Sequence, residues 1–167
     1  ASTDAANKGY VDSVAQGLNI HDPVAAATTT TLAATTGGTV TYNNGTSGVG
    51  ATLTLSVALT VLDGYTLATG DRIIVKNEVA TANNGVYTIN SAKTVLTRAT
   101  DADTSAELNG GDFFFVQNGT VNDNTGWVIV DKVTTIGTTP VVFSQFSGAG
   151  TYTASSGVQL VGNDFSG

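Results

Sequence analysis

GDRIIVKNEVATANNGVYTI occupies residues 70–89 and GDFFFVQNGTVNDNTGWVIV residues 111–130, and the two align without a gap at an offset of 41 residues. Gly70, Asp71, Val75, Asn77, Asn83 and Gly85 match Gly111, Asp112, Val116, Asn118, Asn124 and Gly126. Each copy reads as turn, strand, polar loop and second strand. Glycine supplies the freedom to turn, aspartate can accept from nearby amides before the strand starts, and Asn-x-Gly closes the loop into the return strand. Two copies are too few to stack into an array, so the repeat favours a compact antiparallel β-sandwich or barrel-like domain.

Working outward, residues 52–61 alternate cleanly, with Leu53, Leu55, Val57, Leu59 and Val61 on one side and threonine, serine and alanine on the other. Period two predicts one strand with a buried face across this whole stretch. Asp63-Gly64 is a two-residue hairpin signal. Further strands are expected at 72–76, 86–89, 113–117, 127–130 and 141–146, and a short one at 39–42 between Gly37-Gly38 and Asn43-Asn44-Gly45. Residues 24–36, almost all Ala and Thr, read as an extended strand or connecting arm.

Residues 3–18 give the one helical pattern, with Thr3 as N-cap, Asp4 in the first turn, and Val11, Val14 and Leu18 at i, i+3 and i+7. An isolated helix of this length is marginal, so the stripe needs a packing partner. The expected organisation is a junction helix over 1–23, a β domain over 24–147 containing both hairpins, and a Gly/Ser-rich extension over 148–167. A first residue other than Met reads as a piece of a longer chain.

Charged residues are only 11 % of the 167, against a usual share of about 25 %, and the net charge is -7 with no basic cluster. That balance repels phosphate backbones and argues against nucleic acid as a partner. No apolar run approaches the roughly 18 residues of a membrane span, so no membrane insertion is expected. With no cysteine, disulfides, thiolate metal sites and thiol nucleophiles are excluded. A single histidine, His21, leaves little for acid–base or metal chemistry, and no cofactor is expected.

The densest acids are Asp101, Asp103, Glu107 and Asp112, which lack the full ligand pattern of a calcium loop and read as acids capping a solvated loop rather than a metal site. His21 beside Asp22 has no nucleophile motif with it, so a structural or solvent-facing role is expected. Arg72 and Arg98 are expected to fix loops by ion pairs, Arg98 with Asp101 or Asp103. The candidate surface contacts are Asn83, Asn84, Asn122, Asp123, Asn124 and Trp127 on the two hairpins. Trp127 reads as core, since its repeat counterpart is Val86, and three consecutive phenylalanines, 113–115, imply a strand covered on both faces.

STDAANKGYVDSVAQGL at residues 2–18 resembles a segment of many bacteriophage tail-fibre and related virion proteins, with Asp4, Asn7, Lys8, Gly9, Tyr10, Val11 and Asp12 matching its junction helix. GDRIIVKNEVATANNGVYTI, LTRATDAD, FFFVQNGTVNDNTGWVIV and TTPVVFSQFSGAG are similar to the same group of modules, in the same order, over most of residues 3–150. The Ala/Thr tract at 25–36 and the Gly-rich stretch near 43–50 are longer than that group's pattern.

The resemblance implies a non-catalytic homotrimer in the virion, joined to adjacent tail proteins and serving fibre assembly or attachment to a host glycan or protein. Val11, Val14 and Leu18 would form its oligomer seam. Two alternatives stand beside it. One is a carbohydrate-binding or carbohydrate-cleaving domain with Trp127 or Tyr87 lining a groove; the other is a mechanical linker or capsid-decoration module.

Overall fold

In the computed structural model, which describes residues 18–146, the segment just ahead of the β domain expected from residue 24 already belongs to the β structure. The strand β1 (Asn19–Ile20) runs parallel to β10 (Asp112–Val116), and β2 (Ala26–Ala27) runs parallel to β7 (Arg72–Val75). Between them Val24 donates to Phe115 O at 2.8 Å while Ala25 donates to Arg72 O at 2.7 Å. One extended segment therefore borders both repeat copies. The sheets are mixed rather than purely antiparallel because of it. The helix expected over residues 3–18 lies outside the described residues except for Leu18, which is not helical.

Each repeat copy folds as expected. β7 pairs antiparallel with β8 (Gly85–Ile89), and β10 pairs antiparallel with β11 (Thr125–Ile129). The Gly-Asp turns superpose in chemistry: Asp71 Oδ2 accepts from the Ala68 amide and Asp112 Oδ2 from the Asn109 amide, both at 2.8 Å. The preceding glycines, Gly70 and Gly111, sit at φ 86° and 94°, a region that glycine adopts at little cost.

The return strands do not superpose. Ile74 lies opposite Val86 in the first hairpin, whereas Phe114, the counterpart of Ile73, lies opposite Trp127, the counterpart of Val86. The second loop is thus one residue shorter, and Asn124 takes a left-handed φ of 58° to close it. A slip of one residue exchanges the faces of a strand. It puts Phe114 and Val116 on the side of Trp127 and Ile129, toward the first core, whereas their counterparts Ile73 and Val75 face the second.

Around these hairpins grow two sheets. The four-stranded sheet has the order β1-β10-β11-β12, with β12 at Phe143–Gln145. The six-stranded sheet has the order β2-β7-β8-β9-β4-β3, adding β9 (Val95–Arg98), β4 (Thr52–Leu55) and β3 (Val40–Asn43). Val24, Ile74, Val86, Phe114, Val116 and Ile129 share one core between the sheets, joined by Leu108, Val133 and Val141 from the loops. Ile73, Val75, Tyr87, Leu53, Leu55 and Leu96 form a second core on the other face of the six-stranded sheet. Covered on both faces, β7 reads as a continuous apolar run.

Two expectations fail in the region that covers this second core. Residues 52–61 are not one strand: β4 ends at Leu55, the Ser56 amide turns to Thr39 O, and Val57 and Val61 are 44 % and 46 % exposed. Leu59 and Leu62 are the buried residues there, so the alternation breaks phase. The Ala/Thr tract is not an arm throughout, since Leu32–Thr36 forms the short helix α1. The Thr31 hydroxyl accepts from the Ala34 amide as N-cap, and Gly37 ends the helix in a left-handed conformation. Leu32 carries it into the core.

The Asp63-Gly64 signal does hold. β5 (Val61–Leu62) and β6 (Tyr65–Thr66) form a hairpin with both turn residues at positive φ, 50° and 80°, the geometry that suits a two-residue connection.

The matched aspartates differ in burial, Asp112 being completely buried and Asp71 half-exposed. Asp71→Ala should cost about 0.5–1.5 kcal/mol in urea unfolding, whereas Asp112→Ala should cost about 1–3 kcal/mol because it removes a charged, completely buried acceptor that holds both the Asn109 amide and the Asn19 side chain.

Candidate functional site

Asn77 and Asn122, one from each hairpin loop, reach Thr28 just after the shared segment. The Thr28 hydroxyl donates to Asn77 Oδ1 at 2.8 Å, and Asn122 Nδ2 donates to Thr28 O at 3.3 Å. The two polar loops, residues 76–84 and 117–124, therefore lie at the same end of the molecule. The β5–β6 turn joins them: Asp63 O accepts from the Thr120 amide at 2.8 Å, and its carboxylate accepts from the Val121 and Asn122 amides at 3.0 and 2.8 Å. At Gly119, φ 143°, a Cβ would stand 2.3 Å from that carboxylate, so only glycine fits.

The candidate contact residues divide. Asp123 and Asn124 are exposed, and Asn83 is half-buried. Asn84 and Asn122 are buried and correct the expectation of surface contacts. Asn84 Oδ1 accepts from the Glu78 amide at 3.0 Å and its Nδ2 donates to Val141 O at 3.2 Å. Trp127 is half-buried against the first core, with its indole N–H donated to Thr125 Oγ1 and the Lys76 ammonium 4.4 Å above the ring. Burial there lowers the Lys76 pKa, although Asp63 opposes the shift. Tyr87 is fully buried in the second core and is not open for stacking. Val11 and Val14 lie outside the described residues; Leu18 is half-buried.

The most exposed apolar side chains at this end are Val79 and Val121, 90 % and 68 % exposed, one in each loop. Neither stood out in the sequence, where a lone valine in a polar loop carries no distinguishing pattern.

Among the described residues no group of three or more His, Cys, Asp or Glu converges as a metal site. The four acids form two pairs, Asp101 and Asp112 on either side of His21, and Asp103 beside Glu107. Asp101 accepts from Arg72 at 2.9 Å and from His21 at 2.9 Å. Burial works against its ionised form, but the bonds from Arg72 and His21 outweigh it and hold the carboxyl below its usual range. Asp112 takes the Asn109 amide and Asn19 Nδ2. Glu107 Oε1 accepts from the Asp103 and Thr104 amides.

Asp103 and Glu107 lie side by side and shift in opposite directions. Burial first, then the bond and charge of Glu107, push Asp103 up to about 6. For Glu107 burial acts upward, but the donors around it prevail and lower its pKa.

Arg98 overturns its expected pairing. It is 1 % exposed, and among the described residues it meets no carboxylate. Its guanidinium donates to the Tyr42 hydroxyl, Asn84 O and Ala82 O at 3.0–3.3 Å and packs against the Tyr42 and Tyr87 rings. It ties β9 to the base of the first hairpin loop. Arg72 forms the ion pair with Asp101 instead.

No known protein family, curated protein or solved structure matches the chain.

A Cβ at Gly85 would stand 2.2 Å from Arg98 Nη1, so Gly85→Ala should displace the guanidinium and cost about 1–3 kcal/mol in chemical unfolding. Asp103 is favoured protonated in the fold, so its stabilisation is complete below the unfolded aspartate pKa of about 3.9 and is lost as pH rises to the folded value. Asp103→Asn should accordingly match the wild type in thermal melts near pH 4, gain through pH 5 and level off above about pH 6.

Proposed function

We propose that this chain is a non-enzymatic structural module of a bacteriophage tail fibre, supporting fibre assembly and host attachment as a homotrimer joined to adjacent tail proteins. The carrying observation is the braced end of the fold: two repeated hairpins border one extended segment and hold their loops together, each with an exposed valine. Such a frame needs no chemistry to act. Presenting the same weak surface from several linked copies raises avidity through effective concentration. The phage assignment itself rests on the resemblance of residues 2–18 and of both hairpins to tail-fibre modules.

A purely mechanical linker is the second reading, favoured by one feature. Asn84 and Asn122 spend their amides on bracing the frame rather than facing outward.

Adsorption separates the two. Val79→Asp with Val121→Asp alters exposed positions, where substitutions usually change stability within about 0.5 kcal/mol. For an attachment module, adsorption of particles carrying the double variant should fall at least about tenfold with melting unchanged, a loss of about 1.4 kcal/mol. Unchanged adsorption would favour the linker. Sedimentation of the full chain should give a trimer, and Val14→Asp should lower the mass without disturbing the β core.

A further inference from the structure

His21 follows β1 with its side chain 8 % exposed, stacked on Phe114 at 4.4 Å between ring centroids. Nδ1 lies 2.9 Å from Asp101 Oδ2. Nε2 faces two groups, the Asn19 side-chain nitrogen at 3.3 Å and Asp112 Oδ2 at 3.6 Å. The Asn19 amide also donates to Asp112 Oδ1 at 2.9 Å. The charged groups around the ring are thus Asp101 from the loop after β9, Asp112 from β10, and Arg72 from β7, which pairs with Asp101.

A neutral imidazole protonated at Nδ1 satisfies these contacts. Nδ1–H donates to Asp101, and the Nε2 lone pair accepts the second hydrogen of the Asn19 amide. An imidazolium has a different requirement, because Nε2 then carries a hydrogen and can no longer accept. Its nearest acceptor is the Asp112 carboxylate, and the Asn19 N–H that pointed at the ring must turn away. The neutral ring has its partners in place, whereas the imidazolium must draw Nε2 and Asp112 Oδ2 together from 3.6 Å and release the Asn19 N–H to solvent.

We propose that His21 is a proton-operated switch in which gain of one proton moves Nε2 from accepting the Asn19 amide to donating to Asp112, changing how the first residue of β1 is held. The proton comes from solvent, and no bond other than hydrogen bonds is exchanged. The switch acts on an edge strand whose neighbours are the repeat hairpin on one side and the preceding chain at its end. It does not rest on the tail-fibre reading.

Because the chain has one histidine, its imidazole nitrogens give a single, unambiguous set of NMR resonances. On the protein titrated downward from pH 8.5 to 5, Nε2 should change from acceptor-type to protonated, and the Asn19 side-chain amide resonances should shift with the same midpoint. In His21→Gln the Asn19 resonances should lose that pH dependence. An Asn19 amide that stays fixed while the ring titrates would overturn the switch, as would an Asn19 shift that persists in His21→Gln. The wild-type spectra alone decide the matter if the variant does not fold.

Discussion

Residues 19–28 impose the constraint on which both sheets depend. Val24 exchanges bonds with β10 and the residue after it, donating to Phe115 O and accepting from the Gln117 amide; Ala25 then donates to Arg72 O and accepts from the Asn118 amide. The chain changes sheets between two consecutive residues without leaving a buried peptide group unpaired, which would cost as much as a lost hydrogen bond. Ala26 faces the second core and Ala27 the first, both fully buried. Small side chains are what this crossing admits, since larger ones would push apart the sheets it joins.

The same economy explains the polar residues of the loops. Asn84 and Asn122 read as surface contacts in a chain so poor in charge, yet they, like Asn77 and Asn118, each send an amide or carbonyl of the side chain to backbone or hydroxyl partners. Two deeper groups, Arg98 and Tyr87, extend this bracing: the Tyr87 hydroxyl donates to Asn83 O at 2.6 Å, and burial raises its pKa far above the tyrosine range. The loops are hydrogen-bonded at their bases, and Val79, Val121 and Asp123 are exposed.

What the sequence made legible follows the strength of local signals. The mainly β fold, the two hairpins, the Gly-Asp turns and the Asp63-Gly64 reversal each rest on residues that narrow the backbone to a few conformations. The helix α1 was hidden because threonine and alanine support several conformations, and its capping depended on one hydroxyl at Thr31. The break after Leu55 was hidden because alternation reports a face, and the chain left the sheet while leucine spacing continued to Leu59. The environments of His21 and Arg98 come from contacts across many residues of sequence, His21 to Asp101 and Arg98 to Tyr42, which no spacing rule addresses.

A chain that carries the same supersecondary unit twice runs the risk of crossing its own wires: the outgoing strand of one copy can zip onto the return strand of the other, within a molecule or between neighbours. The single-residue difference in register between the copies works against this. A hybrid pair must adopt one frame or the other, and in the wrong frame residues meant for the interior, such as Trp127 and Ile129, turn to the opposite side. The mismatch thus acts as a keyed connector, letting two similar halves assemble at high local density with fewer tangled products.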